Sequence, residues 1–149
     1  YRLADSYGVP ELSMSVKNIP PPYLPLIKQW WPGPLTLIFP ATPQVSPILT
    51  GYTGSVGIRL TSSIIAREIC RASGFPVTAT SANISGQKAA ANVADIKNAF
   101  GDMVDMIIDG GESDVVLGST VVGIGIEGRP HVIRPGVIEP EFQNEQQVP

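Results

Sequence analysis

The chain has 149 residues, enough for one domain with a real core, and its 43% hydrophobic and 15% charged content is that of a soluble globular protein. A net charge of −3 argues against a broad nucleic-acid-binding surface while leaving room for a local basic pocket. The single cysteine, Cys70, excludes an intrachain disulfide and suits a reducing cytoplasm, and no apolar run reaches the roughly 18 residues of a membrane helix.

Fifteen prolines and fifteen glycines predict many short elements and tight turns. Residues 1–7 read as a helix capped by Gly8, with Pro10 beyond it. The chain starts at Tyr1 inside that predicted helix, so it is expected to be part of a longer frame. Pro20-Pro21-Pro22 is a hard stop before a short helix over 23–30. The rigid turn Trp31-Pro32-Gly33-Pro34 then feeds an apolar strand, 35–39, that reads as buried on both faces.

After a loop over 43–53, the strand 55–60 alternates: Val56, Ile58 and Leu60 on one face, Ser55, Gly57 and Arg59 on the other. Thr61 or Ser62 is expected to cap an amphipathic helix over 63–72 that ends at Gly74, with Cys70 in its packed face. A strand over 77–80 follows and runs into Ser81-Ala82-Asn83-Ile84-Ser85-Gly86. Asn92 caps a helix over 93–100, with Asp95 three residues on. A strand over 105–109 turns at Gly110-Gly111. The β-rich run 119–126 makes a hairpin through Glu127-Gly128 into 131–134, and Pro135-Gly136 stops that strand. These elements predict an α+β, α/β-like architecture. One twisted, mixed sheet of five or six strands carries helices mainly on one side and leaves a concave ligand face open on the other.

The chemistry is narrow. The lone histidine, His131, has no Cys partner nearby, and the standard glycine-rich nucleotide loops are absent. What remains is polar groups at strand ends: Ser55, Arg59, Ser81, Asn83, Ser119, Thr120 and Arg134. Hydroxyls, amides and two arginines suit a polyphosphate or a carboxylate, and such a site works by positioning and electrostatics more than by a titrating base.

Five stretches, in order, resemble YrdC-like domains, the threonylcarbamoyl-AMP synthases. They are Trp31-Pro32-Gly33-Pro34-Leu35-Thr36-Leu37-Ile38, Val56-Gly57-Ile58-Arg59, Ser81-Ala82-Asn83-Ile84-Ser85-Gly86, Asp109-Gly110-Gly111 with Gly118-Ser119-Thr120-Val121-Val122, and Ile133-Arg134-Pro135-Gly136. The resemblance runs from about Leu24 to Gly136. It implies that L-threonine, bicarbonate and ATP (with Mg²⁺) give threonylcarbamoyl-AMP and pyrophosphate, with no tightly bound cofactor. A tRNA-modifying complex would then take up the product, and some family members bind tRNA or double-stranded RNA.

Carried over by position, the resemblance implies that Arg59 holds the threonine carboxylate, with Ala79 and Thr120 lining the amino-acid site. It implies that Ser55, Ser81, Ala89 and Arg134 contact ATP, and that Asn83 braces the loop or reaches a phosphate. The family's N-terminal segment, with its Lys-x-Arg clamp, has no counterpart here, and Gly123 stands where the family usually has Asp. Residues 1–138 are therefore expected to be an N-terminally incomplete YrdC-like domain, followed by a polar tail over 139–149. The alternatives are a non-catalytic RNA-binding module and the YrdC-like domain of a larger carbamoyl-transferring enzyme.

Overall fold

The computed structural model describes residues 12–113 and 118–142. The chain divides into two compact units, Tyr1–Pro76 with Leu117–Pro149, and Val77–Val116. The helix expected over 1–7 and most of the polar tail lie outside the described residues.

The first unit is built on a sheet. After a short helix, α1 (Leu12–Ser15), the proline stop gives a 3₁₀ turn, Pro21–Tyr23, that runs into α2 (Leu24–Trp30). Prolines in a first turn are tolerated, because the N–H they lack would have no intrahelical partner there. Trp31 leaves the helix with extended backbone, as expected before a proline, and its indole N–H donates to the Leu35 carbonyl at 2.8 Å. Gly33 is required at the bend: a Cβ there would run into the Trp30 carbonyl oxygen.

The strands are β1 (Leu35–Pro40), β2 (Ser55–Ile58), β3 (Thr120–Ile124) and β4 (Pro130–Arg134), in the spatial order β2-β1-β3-β4. β1 is antiparallel to β2 and parallel to β3, and β3 is antiparallel to β4. The sheet is thus mixed and the architecture α+β, as the pattern of elements predicts. Among the described residues it has four strands rather than five or six. Residues 77–80 and 105–109 pair with no strand among the described residues. A strand needs a ladder partner as well as apolar residues, and here Val77, Met106 and Ile108 are all exposed.

β1 also differs from expectation. Leu35, Leu37 and Phe39 are completely buried, while Thr36 and Ile38 are only half-buried on the opposite face. Tyr23, Leu26, Ile27 and Trp31 form one cluster with the first three, so the core lies on a single face of the sheet. The Tyr23 ring meets the Phe39 ring edge-on at 5.2 Å. Its hydroxyl donates to the Ile38 carbonyl at 2.8 Å, and burial pushes the phenol pKa up to about 12.

α3 (Ile64–Ser73) starts one or two residues later than predicted: Ser63 is the cap, its hydroxyl accepting from the Ala66 N–H at 3.3 Å. Gly74, at φ 71°, closes the helix in the left-handed conformation. No residue of α3 is buried. The expectation of a packed Cys70 is therefore corrected: it is half-buried on a helix whose apolar face, including Ile65 and Ile69, stays uncovered among the described residues.

The second unit is held by local hydrogen bonds. Asn92 caps α4 (Val93–Phe100) by accepting from the Asp95 N–H at 2.9 Å, and the Asp95 carboxylate accepts from the Ala91 N–H at 3.0 Å. Backbone bonds from Ala90 N–H to the Ala82 carbonyl and from Ser113 N–H to the Ala91 carbonyl, both 2.8 Å, tie the flanking loops. No helix among the described residues is long and apolar enough to cross a membrane.

Candidate functional site

Paired residues of adjacent strands share a face, so the register fixes what the open side of the sheet presents. Leu37 pairs with Ile58 and Val122, which places these three on the core face. The alternate set is therefore on the open face: Ser55 and Gly57 from β2, Thr36 and Ile38 from β1, Val121 and Gly123 from β3. A bulge between Val121 and Val122 lets β4 present Arg134 opposite Val121 and His131 opposite Gly123.

One row crosses this face. Thr36 pairs with Val121, and Val121 pairs with Arg134. Continuing the β1–β2 register by one residue sets Arg59 opposite Thr36. Leu60, the next residue, packs on the core, as the alternation requires. Arg59, one residue past the end of β2, and Arg134 on β4 thus end the row, their backbones three strand spacings or about 14 Å apart. They suit the two ends of an extended ligand.

Arg134 is held in place. One guanidinium N–H, on Nη2, donates to the Ser119 carbonyl at 3.1 Å, and its other donors meet no acceptor among the described residues. The Ser119 segment is itself fixed from both sides. The Pro135-Gly136 turn crosses directly over it: a Cβ on Gly136 would collide with the Gly118 carbonyl oxygen and lie 2.5 Å from Ser119 C and Thr120 N. On the sheet side, Ser119 Oγ and Thr36 Oγ1 are 2.7 Å apart and share a hydrogen bond.

Thr120 is placed differently. Its side chain is fully buried on the core face, where the hydroxyl donates to the Ile138 carbonyl at 2.6 Å and accepts from the Ile138 N–H at 3.2 Å. Only its backbone is left for a ligand on the open face. At Gly123, a Cβ would lie 2.6 Å from Ile133 Cδ1, so Ile133 fills the space a side chain there would take.

Ala79, Ser81, Asn83 and Ala89 belong to the second unit. Asn83 braces its loop: Nδ2 donates to the Ile84 and Gln87 carbonyls, both at 3.1 Å, so both amide protons are used. Its carboxamide oxygen accepts no hydrogen bond from the described residues. Ser81 is exposed, and its carbonyl accepts from the Asn83 N–H at 3.0 Å. Ala79 and Ala89 are exposed and offer backbone only. A hollow lined by Lys97, Gly101, Asp102 and Met106 contains none of these residues.

Sequence reasoning missed Thr36. Its signal was present: it is the polar member of an alternating run whose other members, Leu35, Leu37 and Phe39, face the core.

Chemically, this face offers cations and hydroxyls. Among the described residues the one ion pair is Arg71 with Glu68, so neither Arg59 nor Arg134 has a carboxylate partner. No group of three or more His, Cys, Asp or Glu side chains among the described residues is placed to hold a metal ion.

The Sua5/YciO/YrdC family model, described as "Telomere recombination", matches residues 8–136. The chain is 36% identical over 126 residues to the threonylcarbamoyl-AMP synthase of Pyrococcus abyssi, covering 85% of this chain and 37% of that protein. It is 35% identical over 144 residues to the threonylcarbamoyl-AMP synthase of Schizosaccharomyces pombe, covering 89% and 35%. The crystal structure of P. abyssi Sua5 complexed with L-threonine superposes with a TM-score of 0.77 at 32% identity, over 91% of this chain and 43% of that one. The chain therefore spans well under half the length of these relatives.

Proposed function

Because this chain belongs to the Sua5/YciO/YrdC family, we propose that the full-length protein makes L-threonylcarbamoyladenylate and pyrophosphate from L-threonine, bicarbonate and ATP. The observation that carries this reading is the row across the open face. Two arginines without carboxylate partners among the described residues end it, their backbones about 14 Å apart with hydroxyls between them, a spacing that suits an amino acid at one end and a nucleotide at the other.

In this reading the threonine amine adds to bicarbonate, with loss of water, to give a carbamate. A carbamate oxygen then bonds to the α-phosphorus of ATP, the bond from that phosphorus to the bridging oxygen breaks, and pyrophosphate leaves with the electron pair. Arg59 holds the threonine carboxylate. Arg134 holds the nucleotide, to which Ser81 and the backbone of Ala89 are also assigned; Ser55, on β2 across the sheet from Arg134, would meet a nucleotide that extends over the open face. Ala79 and the Thr120 backbone line the amino-acid end, and Asn83 keeps the Ser81 loop in shape.

Catalysis comes from orientation and from positive charge facing the developing phosphoryl charge. Tyr23, whose pKa is raised, is in the core and away from the open face, and no tuned acid or base is assigned. The described donor set does not fit a protein-held Mg²⁺, so Mg²⁺ is assigned to the nucleotide and no step is routed through it. The product would pass to a tRNA-modifying partner in the cytoplasm, a compartment that suits the single cysteine.

The test is pyrophosphate release from ATP by the full-length protein. Release that requires both L-threonine and bicarbonate is the expected result. Release indifferent to threonine, or no ATP binding at all, would overturn the reading.

A further inference from the structure

We propose that Thr36 is a positioning residue of this site: its hydroxyl holds that of Ser119 as a hydrogen-bond donor toward an oxyanion bound in the row between Arg59 and Arg134. The inference rests on the function proposed above and adds a residue to it.

The geometry is specific. Thr36 Oγ1 and Ser119 Oγ, 2.7 Å apart, have one hydrogen bond between them and no other side-chain or backbone partner among the described residues. Each hydroxyl has one proton and two lone pairs. Two arrangements exist. If Ser119 donates to Thr36, Ser119 presents only lone pairs and repels an anion. If Thr36 donates to Ser119, the Ser119 proton is free to point at the ligand. The first arrangement leaves the free proton on Thr36 instead; an oxyanion lying beside Ser119 and the Arg134 guanidinium selects the second, at no loss of hydrogen bonding.

The Ser119 backbone is held on two sides. Its carbonyl takes the Arg134 guanidinium, and the Gly136 backbone presses on its peptide. The donor pair formed by Ser119 Oγ and Arg134 is thus preset, with Thr36 fixing which way the first member faces. Gly57 supports this arrangement. It lies across from Ile38 on β2, and a Cβ there would lie 3.2 Å from Thr36 Cγ2. A side chain at position 57 would therefore crowd the Thr36 rotamer.

The oxyanion is a carboxylate or a phosphate, and the experiment separates the two. In the full-length protein, ATP and L-threonine affinities are measured by calorimetry for wild type, Thr36→Val, Thr36→Ser, Ser119→Ala and the Thr36→Val/Ser119→Ala double variant. Melting temperature is recorded for each. Thr36→Val keeps the shape of the side chain and removes the hydroxyl. It is expected to weaken one of the two ligands about tenfold, the loss typical of one hydrogen bond. Thr36→Ser should restore that affinity. With Ser119→Ala already present, Thr36→Val should cause no further loss, because the two act as one unit.

A change in ATP affinity identifies the oxyanion as phosphate; a change in threonine affinity identifies it as carboxylate. Unchanged affinity for both ligands in Thr36→Val overturns the inference. So does an additive double variant, or a loss that serine does not rescue. A wild-type protein that binds neither ligand would instead overturn the proposed function, and the two failures are distinguishable.

Discussion

The two faces of the four-stranded sheet are built from alternate residues of the same strands, yet they differ in kind. On the core face, Leu35, Leu37, Phe39 and Val122 have no exposure at all, and the one hydroxyl among them, on Thr120, is satisfied twice by the Ile138 backbone. On the open face, at the same register, stand Thr36, Gly57, Gly123 and Arg134. There the polar groups are held by single hydrogen bonds, neighbouring side chains take the space beside the glycines, and the arginines lack carboxylates among the described residues. The difference teaches a division of labour. Burial on one face makes the strands rigid, and that rigidity fixes the spacing of charges on the other.

The comparison can be tested by substitution on each face. The largest effect belongs to the core. Phe39→Ala removes a ring that meets both Tyr23 and Trp31, and it should lower stability by about 3–5 kcal/mol in urea denaturation. A loss below about 1 kcal/mol would mean that the core face is not what holds the sheet.

Next is Tyr23. An unfolded tyrosine ionises at its usual 10.0, the buried one at about 12. Its contribution to stability is therefore whole below pH 10 and is lost as pH rises from 10 toward 12, by about 2–3 kcal/mol. Tyr23→Phe should remove that alkaline loss; a wild type whose stability is flat between pH 10 and 12 would contradict the burial.

The smallest stability effect belongs to the open face. Arg134→Ala gives up one hydrogen bond at an exposed position, so it should cost about 1 kcal/mol or less. A larger loss would make Arg134 a structural residue rather than a ligand-holding one.

What the sequence made legible is what is local. The Asn92 cap with Asp95, the Gly74 terminator and the hairpin through Gly128 are each specified within about four residues, and all three form as expected. Ladder partners are not local. Residues 77–80 and 105–109 have strand composition but no strand beside them among the described residues, and composition alone could not reveal this.

Face assignment failed for a related reason. Ile38 is apolar yet lies on the open face, and this made β1 read as buried on both sides and hid Thr36. Ser119 and Thr120 are adjacent hydroxyl residues of opposite parity: one meets Thr36, the other sits in the core. Their roles follow from the pairing of Thr120 with Leu35, a long-range fact. Arg59, by contrast, was legible from local alternation: β2 ends at Ile58 rather than at 60, but Val56, Ile58 and Leu60 all pack against the core.

The central claim is that the open face holds the nucleotide at the Arg134 end of the row and the amino acid at the Arg59 end. Calorimetric titration of ATP and of L-threonine into the full-length wild type and its Arg134→Ala variant, at one fixed salt concentration, tests it most directly. The account predicts ATP binding weakened about 10- to 100-fold, the loss expected for a hydrogen bond to a charged group, with threonine affinity nearly unchanged. Unaltered ATP affinity in Arg134→Ala, or a loss confined to threonine, would contradict it.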